Sequence, residues 1–519
     1  MEKINKSIWG NLKFDLPASL VIYLVALPLC LGVALASTGR SDLLFSGIIA
    51  GIIGGIVVGI LSGSPLGVSG PAAGLVVIVF SGIGTLGSYE AFLLAVVLAG
   101  VIQLLAGLLK GGIIGYYFPS SVIKGMLAAI GLTLIIKEVP HALGFDMKFI
   151  PDPILSDQIS HNSFSKLFYS FQYNHMGAIV ISIVSFIILV LFDLRFMKKF
   201  RFFKFLPGAL FVVLIGTLIN YGYFKLSPEL SLSGTDLVQL PVPTSFSDFI
   251  GFFKTPDFSA FSNLNVYIIA LTIAVVASLE TLLCVEAADK LDPYKRTTPT
   301  NRELMAQGVG NIVSGLIGGL PITQVIVRSA ANINAGGKTK LAAIFHGVIF
   351  LVSAIVIPSL LNYIPLACLA VILIMVGYKL SKISLYVSVY KLGLEQFIPF
   401  IVTIVAILST DLLKGIGIGM AVAIFFILKK NYRHLFIYET KIHNKENTIT
   451  LKLAEDLTFL NKGSIVLTLN NISPDSTLII DGSGCKNIDL DILEIINDFK
   501  KHTALTKNIT VETIGIKDL

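Results

Sequence analysis

The sequence contains two interrupted apolar stretches, Gly63-Ser-Pro-Leu-Gly-Val-Ser-Gly-Pro-Ala-Ala-Gly74 and Gly318-Gly-Leu-Pro-Ile-Thr-Gln-Val-Ile-Val-Arg328. Each opens with glycine and proline and continues into residues that can form a helix. Pro65 and Pro321 are 256 positions apart (321 − 65), which is about half of the chain. Broken helices at corresponding positions in two halves of a membrane protein are the best sequence indicator of a transporter's binding site. We therefore expect the two stretches to face each other.

The composition indicates a membrane protein. Of the 519 residues, 54% are hydrophobic and only 14% are charged, whereas a soluble domain carries about 25% charged residues. The net charge of +7 arises from Lys and Arg in short loops between apolar runs, which orients a membrane protein and does not indicate a nucleic-acid partner. No P-loop, HExxH or GxSxG motif is present, so we expect a transporter driven by an ion gradient, not an enzyme, and no cofactor.

Fourteen apolar runs predict an all-α polytopic fold, although several runs are shorter than the roughly 20 residues that a full crossing needs. These spans are 18–36, 43–61, 68–83, 89–109, 119–136, 176–192, 206–223, 266–288, 304–317, 322–335, 341–361, 364–378, 397–413 and 416–428. Basic residues gather after even-numbered spans, at 198–204, 290–302, 379–391 and 429–433. The positive-inside rule then predicts both termini in the cytoplasm. We expect the membrane to be the plasma (inner) membrane.

The count also predicts the domain organisation. Seven spans in each half is an odd number, so the second half must insert upside down, which gives an inverted repeat of about 14–225 and 264–430 within a transport domain of residues 1–435. Residues 436–519 are more polar and predict a small cytoplasmic α/β domain. Its expected elements are strands at Thr448–Leu453, Thr477–Asp481 and Asn508–Ile516, a strand or helix at Ser464–Asn470, and a helix at Leu490–Lys501.

Helices that begin inside a membrane present unpaired N–H groups and a partial positive charge at their N-termini. Two such ends meeting in spans 3 and 10 would bind an anion. The candidate binding residues are Ser69, Gly70, Ala72 and Ala73 in the first stretch and Thr323, Gln324 and Val325 in the second. The alternative is that glycine and proline only ease helix packing or kinking here.

Arg328 follows the second stretch within apolar span 10. A buried arginine is costly and usually functional, and its planar set of donors suits oxyanions such as sulfate, nitrate or bicarbonate. The sequence therefore predicts that Arg328 binds the anion. The alternatives are that it extends to a membrane interface or pairs permanently with a structural carboxylate.

Glu280 lies in the middle of span 8 and is expected to be the only acid deep within a span. A carboxylate in that position is protonated, paired or bound to a cation. We therefore predict that Glu280, with Cys284 one helical turn later, holds a co-transported H⁺ or Na⁺; Na⁺ at Glu280 is the one metal ion considered. The alternative for Glu280 is a permanent ion pair with Arg328, and for Cys284 a packing role. Gln103, Lys124 and His346 are interpreted as structural.

The residues around these sites resemble the sulfate permease family of anion transporters. The resemblance covers about residues 10–435, and the tail resembles a STAS domain. The segments that carry it are Glu280–Lys290, Asn301–Pro321, Arg328–Gly337, Ser69–Gly74 and Phe118–Gly125.

The resemblance implies a 14-span inverted repeat with a core and a gate domain, an elevator-like motion and a homodimer. It places the anion between the N-termini of spans 3 and 10, and it matches Arg328 and Glu280 to the arginine and carboxylate of cation-coupled members. Sulfate and bicarbonate are both candidate substrates. Bulky Val325, Ile326 and Val327 stand where relatives often have small or hydroxyl residues, which leaves the anion open.

Three other functions remain open at this point. One is an uncoupled anion exchanger or channel, which Glu280 argues against. The second is a membrane-bound sensor that signals through its tail, and the third is a nucleobase permease of the same architecture.

Overall fold

The structure is a computed structural model that describes residues 8–113, 118–145, 163–194, 207–410, 412–433, 436–443, 446–457 and 461–516. The basic cluster predicted at 198–204 lies outside the described residues. Within these ranges, eight helices are long and apolar enough to cross a membrane, judged by length and composition.

Helices occupy all fourteen predicted spans. In the first half they are α1 (Leu12–Thr38), α2 (Ser41–Leu61), α3 (Val76–Leu86), α4 (Tyr89–Leu108), α5 (Ser120–Ala142), α6 (Ser163–Gln172), α7 (Met176–Asp193) and α8 (Gly208–Leu226). In the second half they are α9 (Leu264–Leu291), α10 (Thr300–Leu316), α11 (Ile326–Asn334), α12 (Leu341–Val356), α13 (Leu366–Leu380), α14 (Ile383–Lys391), α15 (Leu394–Ser409) and α16 (Leu412–Arg433). Helices α6 and α14 were not predicted, and the number of membrane crossings stays a prediction.

Local sequence explains where the helices of the site begin and end. Helix α1 stops at Gly39, which adopts a left-handed φ of 65° and donates its N–H to Leu35 O at 2.7 Å. Glycine tolerates this conformation at a helix C-terminus because it has no Cβ. Helix α4 begins after Ser88, whose hydroxyl accepts the Ala91 N–H at 3.1 Å as an N-cap.

The helices pack into two bundles. The first contains α1–α4 and α9–α12, in which α10 lies along α4 and α12 lies along α1. The second contains α5, α7, α8 and α13, with α13 packed on α5 and α7. The broken spans 3 and 10 both belong to the first bundle, and α1 also packs against α13 of the second.

Spans 3 and 10 are each interrupted by a short extended segment. Strand β1 (Ser69–Pro71) precedes α3, and strand β2 (Ile322–Gln324) precedes α11. The two strands pair antiparallel and form a sheet of their own. Antiparallel pairing of the two broken spans is the arrangement expected of an inverted repeat, which itself stays a prediction.

The chain divides into two compact units, one of residues 1–391 with 403–416 and the other of residues 392–402 with 417–519. The second unit contains a four-stranded sheet in the order β3 (Phe436–His443), β4 (Glu446–Leu453), β6 (Thr477–Asp481) and β8 (Thr510–Ile514). Strands β3 and β4 are antiparallel, and the other neighbours are parallel. A second small sheet pairs β5 (Asp456–Leu457) with β7 (Asn487–Ile488).

Most elements of the tail were predicted from its sequence. The segment that was left as strand or helix is helix α17 (Lys462–Asn470), and Leu490–Asp498 forms α18, as its apolar spacing predicts. Leu478 and Ile480 of β6 pack with Ile492 of α18 in the core of this unit. Strand β3 was missed, and the last strand is shorter than predicted. Strand β3 starts at residue 436, where the sequence predicts the boundary between the two domains. The compact unit also includes residues 417–433, so this boundary stays a prediction.

Candidate functional site

The candidate site is built on the β1–β2 pair. The register places Ser69 opposite Gln324, Gly70 opposite Thr323 and Pro71 opposite Ile322. The Val325 N–H donates to Val68 O at 2.9 Å and extends the pairing by one step. The two interrupted stretches therefore face each other, as the sequence predicts, and α3 and α11 each begin within a few residues of the pair.

Arg328 lies in the first turn of α11 and is only 1% exposed. Its Nη2 donates to Pro71 O at 3.3 Å, whereas its Nε and Nη1 atoms have no hydrogen-bond partner. A Cβ added at Gly70 would overlap the guanidinium, so this close approach requires glycine. The Cys30 thiol of α1 also lies within hydrogen-bonding distance of the guanidinium. A buried cation with two bare donor atoms is a receptor for a negatively charged ligand.

Glu280 of α9 contacts the start of the first short helix. Its carboxylate accepts the Gly74 N–H, and its Oε2 has no partner. A Cβ added at Gly74 would overlap this carboxylate. One turn later, Cys284 accepts the Ile326 N–H at the start of α11. One side chain of α9 therefore contacts a backbone amide at the start of each short helix. The sequence analysis expected these amides to be open to the ligand.

No ion pair joins Glu280 to Arg328 among the residues that the structure describes. Glu280 approaches the first interrupted span, and Arg328 is held beside the Pro71 carbonyl. The two charges therefore do not satisfy each other, and the permanent pair considered for the sequence is not what the structure shows.

The other candidate residues divide into engaged and free side chains. Ser69 Oγ accepts a hydrogen bond from Gln307 Nε2 at 2.7 Å. Gln324 is fully buried, and neither its Nε2 nor its Oε1 has a partner. The Thr323 hydroxyl donates to Gln324 O at 3.3 Å. Ala72 is buried, whereas Ala73 and Val325 are half-buried. The free donors of the site therefore come from Arg328 and Gln324, both in the second half.

The sequence as a whole places this site in a known family. Residues 12–405 match the sulfate permease family, which is more than half of the chain. The protein belongs to the sulfate permease family. Because this family consists of transporters, the prediction that the protein is not an enzyme is confirmed.

Individual relatives of this protein differ in the anion that they are named for. The chain is 28% identical over 445 residues to the Putative sulfate transporter YvdB of Bacillus subtilis (strain 168), covering 85% of this chain and 77% of that protein. It is 26% identical over 442 residues to the Bicarbonate transporter BicA of Picosynechococcus sp., covering 82% of this chain and 71% of that protein.

Solved structures show the same fold. The transmembrane domain of a cyanobacterium bicarbonate transporter BicA superposes with a TM-score of 0.65 at 22% identity, over 81% of this chain and 99% of that one. The structure of SLC26A9 superposes with a TM-score of 0.74 at 17% identity, over 98% of this chain and 85% of that one. The predicted polytopic helical membrane fold is thereby confirmed.

Helix α10 carries a row of buried polar side chains that the sequence analysis missed. Glu303, Gln307 and Asn311 are spaced four residues apart, lie on one face and are fully buried. Gln307 donates to Ser69 of β1. Asn311 accepts the Ile322 N–H at 2.6 Å and donates to Ile322 O at 3.1 Å. One helix therefore holds both strands of the site, and the four-residue polar spacing was the signal that could have revealed it.

Three acids just outside the predicted spans are fully buried, which the sequence analysis did not anticipate. They are Asp15, Glu138 and Glu303. Asp15 accepts the N–H groups of Lys338 and Thr339 at 2.7 and 3.0 Å, and Glu303 accepts from Gln307 at 3.0 Å. These acids lie near the ends of helices that run beyond the predicted apolar runs, so hydropathy alone did not place them inside the protein.

Two intramembrane polar residues have different surroundings. Gln103 donates to Ser278 at 3.2 Å and accepts from Asn311 at 2.7 Å, which fits its interpretation as structural. His346 is fully buried and packs edge-on against Phe350, with ring centroids 5.0 Å apart.

Proposed function

We propose that this member of the sulfate permease family is a secondary active transporter of an inorganic oxyanion, sulfate or bicarbonate, coupled to H⁺ or Na⁺. The observation that carries the proposal is Arg328, a fully buried guanidinium whose Nε and Nη1 have no protein acceptor. An oxyanion supplies a pair of acceptor oxygens, which match the planar pair of N–H donors of a guanidinium. The relatives named for sulfate and for bicarbonate support both substrates.

The unpaired state of Glu280 supports the coupling. Its Oε2 has no partner and Arg328 does not neutralise it, so the carboxylate is available to a proton or a sodium ion. Its bond to the Gly74 N–H links the occupancy of this acid to the start of α3, next to the anion site. Binding of the cation and of the anion would then favour each other electrostatically.

The mode of transport is part of the same proposal. The first bundle carries all the candidate site residues, and the second bundle packs beside it. An elevator-like displacement of the first bundle, as core, against the second, as gate, would carry the site across the membrane. We also propose a homodimer in a plasma (inner) membrane, with both termini in the cytoplasm and residues 436–519 forming a STAS-like domain there.

Reconstituted protein tests the proposal directly. Uptake of radiolabelled sulfate and bicarbonate into proteoliposomes is measured with and without inward H⁺ and Na⁺ gradients, with uracil as a solute that the site should reject. We expect one of the two anions to accumulate only when a gradient is imposed. Anion uptake at the same rate with and without the gradients would identify an uncoupled exchanger or channel. Uptake of uracil and of neither anion would identify a nucleobase permease.

Glu280→Gln tests the coupling ion. The substitution keeps the shape and removes the charge, so we expect anion binding to persist while the accumulation driven by the gradient falls to the level set by equilibration. Glu286→Gln is the matched control because Glu286 lies on the same helix, is exposed and pairs with Lys290. Accumulation by Glu280→Gln that equals that of the unmodified protein would remove Glu280 from the coupling role.

A further inference from the structure

A cavity lies away from Arg328, which is not among its lining residues. It has a volume of about 370 Å³ and is bounded by the last turn of α1, the loop at Gly39–Asp42, Phe80 of α3 and the C-terminal part of α5, with residues of α6, α7 and α13 opposite. The cavity thus lies where the two helix bundles meet.

The cavity is close to the candidate anion site. Leu35 lines it, and Leu35 is five residues beyond Cys30, whose thiol contacts Arg328. Five residues of helix correspond to a rise of about 7.5 Å. Helix α3 connects the two places as well, because it starts next to the site and carries Phe80 into the cavity wall. An ion in the cavity would be within one or two helical turns of the anion site.

Glu138 is the unusual group of this cavity. It lines the wall, is fully buried, and neither of its carboxylate oxygens has a hydrogen-bond partner. His141 lies beside it, with its Nδ1 3.4 Å from Glu138 Oε2. A buried carboxylate without a donor is costly. The cavity is therefore incomplete without a ligand that donates a hydrogen bond.

The same cavity contains two lysines. Lys137 and Lys166 both line it and interact electrostatically with each other, and Lys137 Nζ lies 3.6 Å from the centre of the Phe80 ring. The remaining charged residues of the wall are Asp236, Arg40 and Asp42, and the last two pair with each other at 2.6 Å. The lysines favour an anion, whereas Glu138 favours a donor.

We propose that this cavity is a second anion site for an oxyanion that carries its own proton, such as bicarbonate. Glu138 accepts the ligand's O–H, and Lys137 and Lys166 hold its negative oxygens. Sulfate at neutral pH has no proton to donate, so the bare carboxylate of Glu138 repels it. The assignment rests on the proposed transport of an inorganic oxyanion. It adds, near the Arg328 site, a second binding site that is selective for a protonated oxyanion.

Binding to the purified full-length chain tests the second site separately from transport. In Arg328→Ala protein, isothermal titration calorimetry with sodium bicarbonate should still show binding, and sodium sulfate at neutral pH should show none. Adding Lys166→Gln to Arg328→Ala should weaken bicarbonate binding about tenfold, since a charge-assisted hydrogen bond is lost. Lys166→Arg in the same background should retain binding, and Lys225→Gln, an exposed lysine outside the cavity, should have no effect.

Glu138→Gln gives the sharpest result. The amide can donate as well as accept, so Glu138→Gln in the Arg328→Ala background should gain sulfate binding by about tenfold relative to bicarbonate. An unchanged ratio, or bicarbonate binding that survives Lys166→Gln undiminished in folded protein, would overturn the second site. These outcomes do not depend on uptake, so a failure of the proposed transport in liposomes would leave them readable.

Discussion

The two interrupted segments, residues 69–86 and 322–334, have the same backbone plan but different chemistry. Each is a three-residue strand followed by a short helix, and the strands pair with each other. The first contributes close-approach glycines at 70 and 74 and no charge, whereas the second contributes Arg328 and the unpartnered amide of Gln324. The two segments thus share a backbone geometry, and the side chains of only one of them provide a charge.

The largest effect is expected when the charge of the second segment is removed. Arg328→Ala should reduce anion uptake roughly a hundredfold because it deletes the only guanidinium among the described residues of the site and its charge-assisted hydrogen bonds. Arg328→Lys should retain part of the activity, since it keeps the charge but loses the planar fork. Arg302→Ala removes an exposed arginine at the start of α10 and is the control. Uptake by Arg328→Ala near that of the control would refute the proposed site.

The next test alters the uncharged segment. Gly70→Ala should raise the KM for the anion by about tenfold or more, because the new Cβ overlaps the guanidinium and must displace it. Gly84→Ala is a matched control on α3, where a Cβ meets no atom within 4 Å. Initial rates of uptake over a range of anion concentrations measure the effect. Equal KM values for the two variants would show that the first segment does not position Arg328.

Helix α10 bonds to both strands, so substitutions on it compare how strongly each strand depends on its hydrogen bonds to this helix. Asn311→Ala removes both hydrogen bonds to Ile322 and leaves a buried backbone N–H and C=O without their partner, so it should lower the free energy of unfolding by about 1–3 kcal/mol. Gln307→Ala removes the bonds to the Ser69 hydroxyl and to the Glu303 carboxylate but leaves no backbone group without a partner, so it should cost less. Thermal unfolding in detergent, with KM measured in liposomes, ranks the two variants. The opposite ranking would mean that the first strand depends more on α10.

The smallest effects should come from single side chains that face each other in the register. Gln324→Ala should weaken anion affinity severalfold because it deletes an unpartnered buried amide, whereas Ser69→Ala should change affinity less because that hydroxyl is already bonded to Gln307. Competition of unlabelled anion against radiolabelled uptake resolves differences of this size. A larger loss from Ser69→Ala would place the ligand closer to the first strand.

Local features of the sequence predicted much of this site. Glycine and proline marked both breaks, and Arg328 and Glu280 stood out because charges are rare in apolar runs. The partners of these charges could not be predicted, since the Gly74 amide that Glu280 binds lies some two hundred residues away in the chain. Whether an acid such as Glu138 is buried depends on α6, α7 and α13 packing around it, which periodicity in α5 does not reveal. The tail showed the same limit, since β3 pairs with β4 only in three dimensions.

The short ladder between residues 69–71 and 322–324 constrains how the protein can discriminate between anions. Pulling the strands apart would expose peptide groups in a dry interior, at a cost of a few kcal/mol for each unmet bond. At the proposed anion site, the strand pair is consequently a rigid surface that cannot separate to admit a bulkier solute. Because these strands are paired, a displacement of one broken helix would also move the other.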